Sequence, residues 1–382
     1  MIFGEFSDVF PPETDGVGTV VKNYATHLQA GGDIAYFLAP RAEDPVGSRP
    51  FPVILFGGIK LPGEPYRMGL PSLDRGFGRT VNEIPFDLVH AHSPFGAGRA
   101  ARRIARRRGI PLVATFHSKY YDDFLAKTHS KLLARLATRI VVDFYRTCDE
   151  VWTVTDAAAE VLRSYGYEGP LRVMPNGTDP WEPTGRAEAL LSSTFGEGSE
   201  GPLFLYVGQH NWKKNIRVIL EGVALYRKEG APCRLLFVGQ GPDREAIEAE
   251  ADRLGLGNVT RFLGHVSDRD TLLQVYAAAD LFLFPSLYDT AGLVVKEAAS
   301  AGTASIIARG SCAAEGTEDG VNAFHCEPTP ESMAAVIASA LPRARKVGEE
   351  ARRTIPTLWG DVIRDARARY CELIEEKKKS KA

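Results

Sequence analysis

Short apolar runs recur along this chain, each followed by a longer stretch with helical spacing, and that alternation restricts the fold more than any other feature. In the first half the runs are Met1–Phe6, Ile34–Leu38, Val53–Phe56, Leu88–Ala91, Leu112–Phe116, Val151–Thr155 and Leu171–Met174. In the second they are Phe204–Val207, Leu235–Val238, Val259–Phe262, Leu281–Phe284 and Ser305–Ile307. Continuous apolar strands separated by helices belong to parallel sheets covered on both faces. Two such series predict an α/β protein of two Rossmann-like domains, which 382 residues suffice to build. The break falls in Asp179–Pro202, rich in Pro, Gly, Ser and Glu. A final helix over about Trp359–Lys377 has no strand after it, and the tail from Lys377 to Ala382 is expected to be disordered.

Composition narrows the class of function. A chain with 44% hydrophobic and 25% charged residues is that of a soluble globular protein. A net charge of −2 argues against bulk nucleic-acid binding. No apolar run is long enough to span a bilayer. Met1 leads straight into the strand-like MIFGEF, so no secretory signal is visible. The cysteines, Cys148, Cys233, Cys312, Cys326 and Cys371, are scattered without metal-type spacing, which predicts reduced packing residues of a cytoplasmic protein.

The stretch with most chemistry is Leu281–Gly302, LFLFPSLYDTAGLVVKEAASAG. It reads as a buried strand, a turn opened by Pro285-Ser286, and a helix starting near Gly292. Strand, tight loop and helix N-terminus make an anion site, because unpaired N–H groups and the helix dipole point outward together. Asp289 lies in the loop, and Glu297 roughly 7.5 Å along the helix from its start near Gly292 at 1.5 Å per residue. Ionised carboxylates accept hydrogen bonds only, and bind a diol in bidentate fashion. Carboxylates beside a phosphate pocket fit a phosphate flanked by sugars.

Other motifs sit at strand ends. Asp15-Gly16-Val17-Gly18 follows the first strand and opens a helix, and glycines there let backbone amides approach a ligand. His90-x-His92 lacks nearby partners for zinc and reads as residues lining the interdomain cleft. His117 ends the strand Leu112–Phe116, at the carboxyl edge where open α/β sheets bind ligands. Lys214, after the first strand of the second domain, is a cation placed to meet a diphosphate. Arg99–Arg108, RAARRIARRR, gathers Arg99, Arg102, Arg103, Arg106 and Arg107 on one helix face; this is either a solvated face or a surface for anionic lipid. The Pro-rich, apolar Phe51–Pro71 reads either as a surface loop or as a second acceptor or membrane contact.

These motifs, in this order, resemble the retaining GT-B glycosyltransferases of family GT4. Asp289 and Glu297 match the spacing of the family's E-x7-E element, with Asp in place of the first Glu. Thr115-x-His117, Pro175-Asn176-Gly177-Thr178-Asp179, Val238-Gly239-Gln240-Gly241-Pro242 and Phe262-Leu263-Gly264-His265-Val266 match further family elements, and Gln209 stands where the family has Arg. FSDVFPPETDGVGTVV and Lys119–Asp123 resemble the members that glucosylate diacylglycerol. The resemblance implies two domains facing across a cleft: residues 1–180 with a returning helix at about 358–378 bind acceptor, and residues 181–357 bind the nucleotide sugar. It implies donor contacts from Gly16, Gln209, Lys214, Val266, Asp289, Gly292, Leu293 and Glu297. It gives His117, Lys214 and Asp289 roles in catalysis, with no metal or other cofactor.

The implied reaction is transfer of a hexose from a UDP-sugar, with retention, to a lipid such as diacylglycerol. The protein is expected in the cytoplasm, peripheral on the inner membrane face through Arg99–Arg108. The alternatives are the same chemistry on a soluble or polysaccharide acceptor, a UDP-sugar epimerase, and a non-catalytic sugar-nucleotide-binding module.

Overall fold

In a computed structural model of the chain, each of these apolar runs becomes a strand of one of two parallel sheets. It describes residues 1–9, 16–41, 49–60, 67–182, 187–196, 200–228 and 230–381, so Asp15 and part of the Phe51–Pro71 stretch lie outside the described residues. The chain divides into two compact units, Met1–Asn176 with Trp359–Ala382, and Gly177–Leu358. The border falls inside the Pro175–Asp179 motif, upstream of most of the Pro- and Gly-rich stretch.

The first unit contains β1 (Ile2–Phe6), α1 (Gly16–Ala30), β2 (Ile34–Pro40), β3 (Val53–Phe56), β4 (Gly58–Lys60), β5 (Arg67–Gly69) and α2 (Arg75–Glu83). It continues with β6 (Leu88–Ala91), α3 (Gly96–Arg108), β7 (Leu112–Phe116), α4 (Tyr120–Thr128), α5 (Lys131–Tyr145), β8 (Glu150–Thr153), α6 (Asp156–Ser164) and β9 (Leu171–Val173). Its seven-stranded sheet runs β3-β2-β1-β6-β7-β8-β9, all parallel, and β4–β5 form a small antiparallel ribbon. Strand order reverses between β1 and β6, where Glu5 is in register with His90. In α3 the small residues Ala97, Gly98, Ala100, Ala101 and Ala105 are buried. They let the helix approach β6, β1 and β7 closely and turn its arginines outward.

The second unit contains α7 (Ala187–Phe195), β10 (Leu203–Val207), α8 (Ile216–Arg227), β11 (Arg234–Val238), α9 (Arg244–Arg253), β12 (Thr260–Gly264) and α10 (Arg269–Ala277). It continues with β13 (Leu281–Phe284), α11 (Leu293–Ser300), β14 (Ser305–Ala308), β15 (Phe324–Cys326), α12 (Pro330–Ala340) and α13 (Ala344–Thr354). The six-stranded parallel sheet runs β12-β11-β10-β13-β14-β15, and its reversal falls between β10 and β13. The inner strands β10, β13 and β14 are wholly buried and β11 nearly so, as continuous apolar strands require, while the edge strand β12 is mostly half-buried. β15 escapes sequence reading because it is three residues long with His325 at its centre.

The last helix, α14 (Trp359–Lys379), belongs to the first unit. Its buried stripe is Trp359, Val362, Ile363, Ala366, Tyr370, Leu373 and Ile374, the spacing of one helix face. Tyr370 stacks on Trp152 with centroids 5.2 Å apart. Arg369 reaches both oxygens of Glu150 at 2.8–3.2 Å, and Arg367 binds Asp33 at 2.5 Å. The expectation of a disordered tail is corrected here. Lys377–Lys379 continue the helix, Lys377 pairs with Asp149 at 2.5 Å, and lysines at a helix C-terminus also complement its dipole.

Candidate active site

In the second unit, loops from neighbouring strands are knitted together at the carboxyl edge of the sheet. Gly208 donates to the Val238 carbonyl (3.0 Å), His210 to Gln240 (2.9 Å) and Gly239 to Gly264 (2.7 Å). A side chain at Gly239 would meet the Gly208 carbonyl at 2.0 Å, so only glycine permits this closeness. Asn215 ties the loop after β10 to the loop after β13 by donating to the Pro285 carbonyl at 2.9 Å. Ligands of open α/β sheets bind outside such a reversal point.

Lys214 and Asp289 stand on either side of that point. The Lys214 ammonium lies 2.5 Å from Asp289 Oδ1, and Ser286 Oγ donates to Oδ2 at 2.5 Å. The Tyr288 ring sits 5.0 Å from the Lys214 ammonium and 5.3 Å from that of Lys213. Lys214 and Asp289 remain partly exposed, at 13% and 22% of their side chains. The pair thus offers a cation and an acceptor-only carboxylate side by side. Gln209, following β10, is half-buried, and its carbonyl accepts from Tyr206 at 2.8 Å.

Gly292 caps α11 in the left-handed conformation (φ 55°), and a side chain there would strike Ala313 at 2.7 Å. Gly292 supplies no capping side chain; the Val295 amide bonds back to the Gly292 carbonyl at 2.8 Å, and a helix start of this kind suits an anion. Glu297 is buried one turn further along. Arg269 donates to its Oε1 at 2.6 Å and Tyr276 to its Oε2 at 3.2 Å. Burial, with the Glu297 charge beside it, pushes the Tyr276 phenol well above its usual range and keeps it a donor. Val266 lies half-buried in the loop after β12 and packs on the core. The loops after β10, β12 and β13 therefore carry Gln209, Lys214, Val266, Asp289 and Gly292, with Leu293 and Glu297 on α11 itself.

The first unit presents a second cluster. Gly16 opens α1 after β1 and His117 follows β7, both at the carboxyl edge of that sheet. His92 Nδ1 lies 3.1 Å from His117 Nε2, and His92 Nε2 lies 2.9 Å from Glu5 Oε2. His90 contacts the Tyr370 hydroxyl at 2.5 Å and Thr115 Oγ1 at 2.7 Å. Glu5 and His90 are fully buried and His92 nearly so, so the histidine pair is packed within the first unit. The partner that this pair lacks in the sequence is Glu5, whose carboxylate is within 4.8 Å of one donor nitrogen of each. Burial would raise the Glu5 pKa, but hydrogen bonds from His90 and His92 outweigh it and hold the carboxyl at about 2. Burial lowers His90 to about 4 and takes His117 well below its usual range.

Two family profiles cover these units in sequence. That for Glycosyltransferase Family 4 matches residues 14–182, and that for Glycosyl transferases group 1 matches residues 191–354. The chain is a glycosyltransferase of the GT4 type. Among the relatives of this glycosyltransferase, alpha-monoglucosyldiacylglycerol synthase from Acholeplasma laidlawii is 25% identical over 394 residues, covering 95% of this chain and 98% of that protein. Sucrose-phosphate synthase from Thermosynechococcus elongatus matches 98% of the glycosyltransferase and 99% of its own chain, at 20% identity and a TM-score of 0.86. HepE from Anabaena, in its complex with UDP-glucose, matches 99% of each chain at 18% identity and a TM-score of 0.73. These likenesses give the GT4-type glycosyltransferase the GT-B fold.

Sequence reasoning missed Glu5, Ser286, Arg269 and Tyr276 as members of these clusters. Ser286, three residues before Asp289, was legible as an acidic side chain's turn partner. The others come from strands and helices distant in the chain.

Proposed function

We propose that this glycosyltransferase moves a hexose, with UDP-glucose as donor, to a lipid acceptor such as diacylglycerol at an anionic membrane surface, with retention at the anomeric carbon. Support for the donor comes from the second unit. Cleavage of the glycosidic bond builds positive charge on carbon and negative charge on the departing diphosphate. Lys214, Lys213 and the first amides of α11 supply preorganised positive charge, and in this reading no metal ion is required. Asp289 accepts from sugar hydroxyls, and Glu297 from the ribose diol. Val266, in the loop after β12, meets the base, and His117 with Gly16 meets the donor sugar. Asp289 is already neutralised by Lys214 and bonded by Ser286, which suits it poorly to covalent attack. Same-face transfer, with the donor phosphate accepting the acceptor's proton, fits this better.

The observation that carries the lipid reading is the outer face of α5. Leu132, Leu133, Leu136 and Ile140 are 67%, 52%, 50% and 62% exposed. At helical spacing they form one stripe about 100° wide. Lys131, Arg135 and Arg139, all exposed, flank it. A surface depression beside it is lined by Phe95, Arg99, Arg102, Phe124, Ile140 and Phe144, with the Asp143 carboxylate, paired to Arg146, also on its wall, and it joins the stripe to the arginine face of α3. Apolar side chains rimmed by cations suit the boundary between headgroups and acyl chains. No helix among the described residues is long and apolar enough to cross a membrane.

The test is incubation with radiolabelled UDP-glucose and diacylglycerol in phosphatidylglycerol-containing vesicles. Release of UDP with label moving into the organic phase is expected. UDP release with label only in added soluble glycans would overturn the lipid acceptor and keep the transferase. Release from a GDP-sugar alone would overturn the donor.

A further inference from the structure

His117 does not stand alone at the end of β7. It is the outermost member of a buried chain that runs through His92 to Glu5, across three adjacent strands. The three residues come from β1 and from the ends of β6 and β7, neighbours in the sheet order. The His92 and His117 rings are 18° from coplanar, with centroids 5.4 Å apart. With Nδ1 and Nε2 at 3.1 Å, that is an edge-to-edge N–H···N bond lying in the ring planes.

We infer that Glu5 and His92 are positioning residues that set the tautomer of His117. The logic follows donors and acceptors. An ionised carboxylate accepts only, so the 2.9 Å contact requires a proton on His92 Nε2. A neutral imidazole protonated at Nε2 carries a lone pair at Nδ1. His117 must then donate from its own Nε2, which leaves the lone pair of His117 at Nδ1. The chain therefore fixes the His117 proton on Nε2 and its lone pair on Nδ1. The carboxylate form of Glu5 that this needs is the one favoured by its hydrogen bonds.

The surroundings hold the chain in place. Tyr24 packs edge-on against both His90 and His92, at 5.5 and 5.2 Å between centroids. His90 packs on His92 at 4.0 Å, and its own nitrogens are taken by Tyr370 and Thr115. Glu5 Oε1 faces the Tyr370 hydroxyl at 3.4 Å. A divalent metal held by Glu5, His90 and His92 is the competing use of the same atoms. The hydrogen bonds already account for both nitrogens of each histidine.

This inference rests on the reading that His117 meets the donor sugar, so the experiment separates the two. Ring-nitrogen NMR of uniformly 15N-labelled full-length protein reports the tautomer directly, whatever the activity. In the wild type, His117 is expected to carry its proton on Nε2. In Glu5→Leu the acceptor is gone, nothing holds the proton on His92 Nε2, and the His117 ring shifts are expected to average between the two tautomers. Turnover is expected to fall at least tenfold, with KM for the donor changed by less than threefold. A folded Glu5→Leu protein whose His117 keeps the wild-type tautomer overturns the relay. If Glu5→Leu does not fold, His92→Leu removes the partner of His117, and the single tautomer is expected to give way to averaged ring shifts; its persistence overturns the relay. One equivalent of bound divalent metal in the purified wild type, by plasma mass spectrometry, also overturns it. A His117→Ala enzyme with unchanged turnover would instead overturn the reading of His117, leaving the NMR result to stand by itself.

Discussion

Lys214 carries a positive charge at the sheet's reversal point, and it is already paired with Asp289. The two side chains therefore act as a unit, and their deletions should not add. Lys214→Ala leaves the Asp289 carboxylate facing the incoming diphosphate; the expected loss in kcat/KM is about 10²–10³-fold, the scale of removing one preorganised donor. Lys214→Ala with Asp289→Ala removes both charges, and titration calorimetry should find that this double variant binds UDP more tightly than Lys214→Ala alone. A double variant weaker than the single one would mean that Asp289 does not face the diphosphate. At this scale the sequence was uneven. Lys214, Asp289 and Glu297 were legible because they lie in contiguous motifs beside a strand and a helix start. Glu5 was not, because a Glu in IFGEF reads as one polar residue in a short strand. Its meaning comes only from the register that sets it against His90. For the same reason the histidine pair lacked a visible partner.

Elements show the same division. Strands apolar on both faces announce themselves, and the sheets matched them to within a residue or two. The orientation of a helix face is harder. In α3 the arginine face was readable because its opposite side is Ala and Gly, which can only be the packed side. In α5 apolar residues occupy both sides: Ala134, Val141, Val142 and Phe144 are buried while Leu132, Leu133, Leu136 and Ile140 are not. Hydropathy does not say which apolar stripe meets the sheet. The outer stripe has a direct test. Leu133→Glu with Ile140→Glu should leave the melting temperature near the wild-type value, since exposed sites contribute within about 0.5 kcal/mol. Each apolar side chain inserted is worth about 1.5–3 kcal/mol, so flotation with phosphatidylglycerol vesicles should show binding weakened at least tenfold. Undiminished flotation would move the membrane contact off α5.

At the scale of the whole molecule, buried histidines govern acid stability. His90 and His210 are both lowered to about 4 by burial, and His117 is lowered as well. The ring nitrogens of His210 have no hydrogen-bond partner among the described residues, so nothing there offsets the cost of charging it. Below a histidine's ordinary pKa of 6.5 the unfolded chain takes up protons that the folded chain refuses. The histidines' share of stability should therefore be level above that pH and fall as pH drops from about 6.5 to 4, offset in part by Asp8, whose burial raises its carboxyl to about 6 so that the folded chain takes up that proton first. His90 alone contributes on the order of 3 kcal/mol to that fall. Glu5, depressed to about 2, adds its loss only below the ordinary carboxylate range. Scanning calorimetry between pH 8 and pH 4.5 measures this, and a melting temperature unchanged across that range would refute it.

The placement of α14 has a consequence for synthesis. Tyr370 completes the packing around His90 and Trp152, and Arg369 satisfies the buried Glu150. Those partners leave the ribosome early, and their missing helix follows only after the second unit. While Gly177–Leu358 is being made, at roughly 5–20 residues per second, the first unit waits with its sheet laid down and one wall open. The second unit, continuous in the chain, needs nothing that comes later. The unit begun first is thus finished last, and a nascent chain halted before Trp359 would hold a complete second unit behind an unclosed first one.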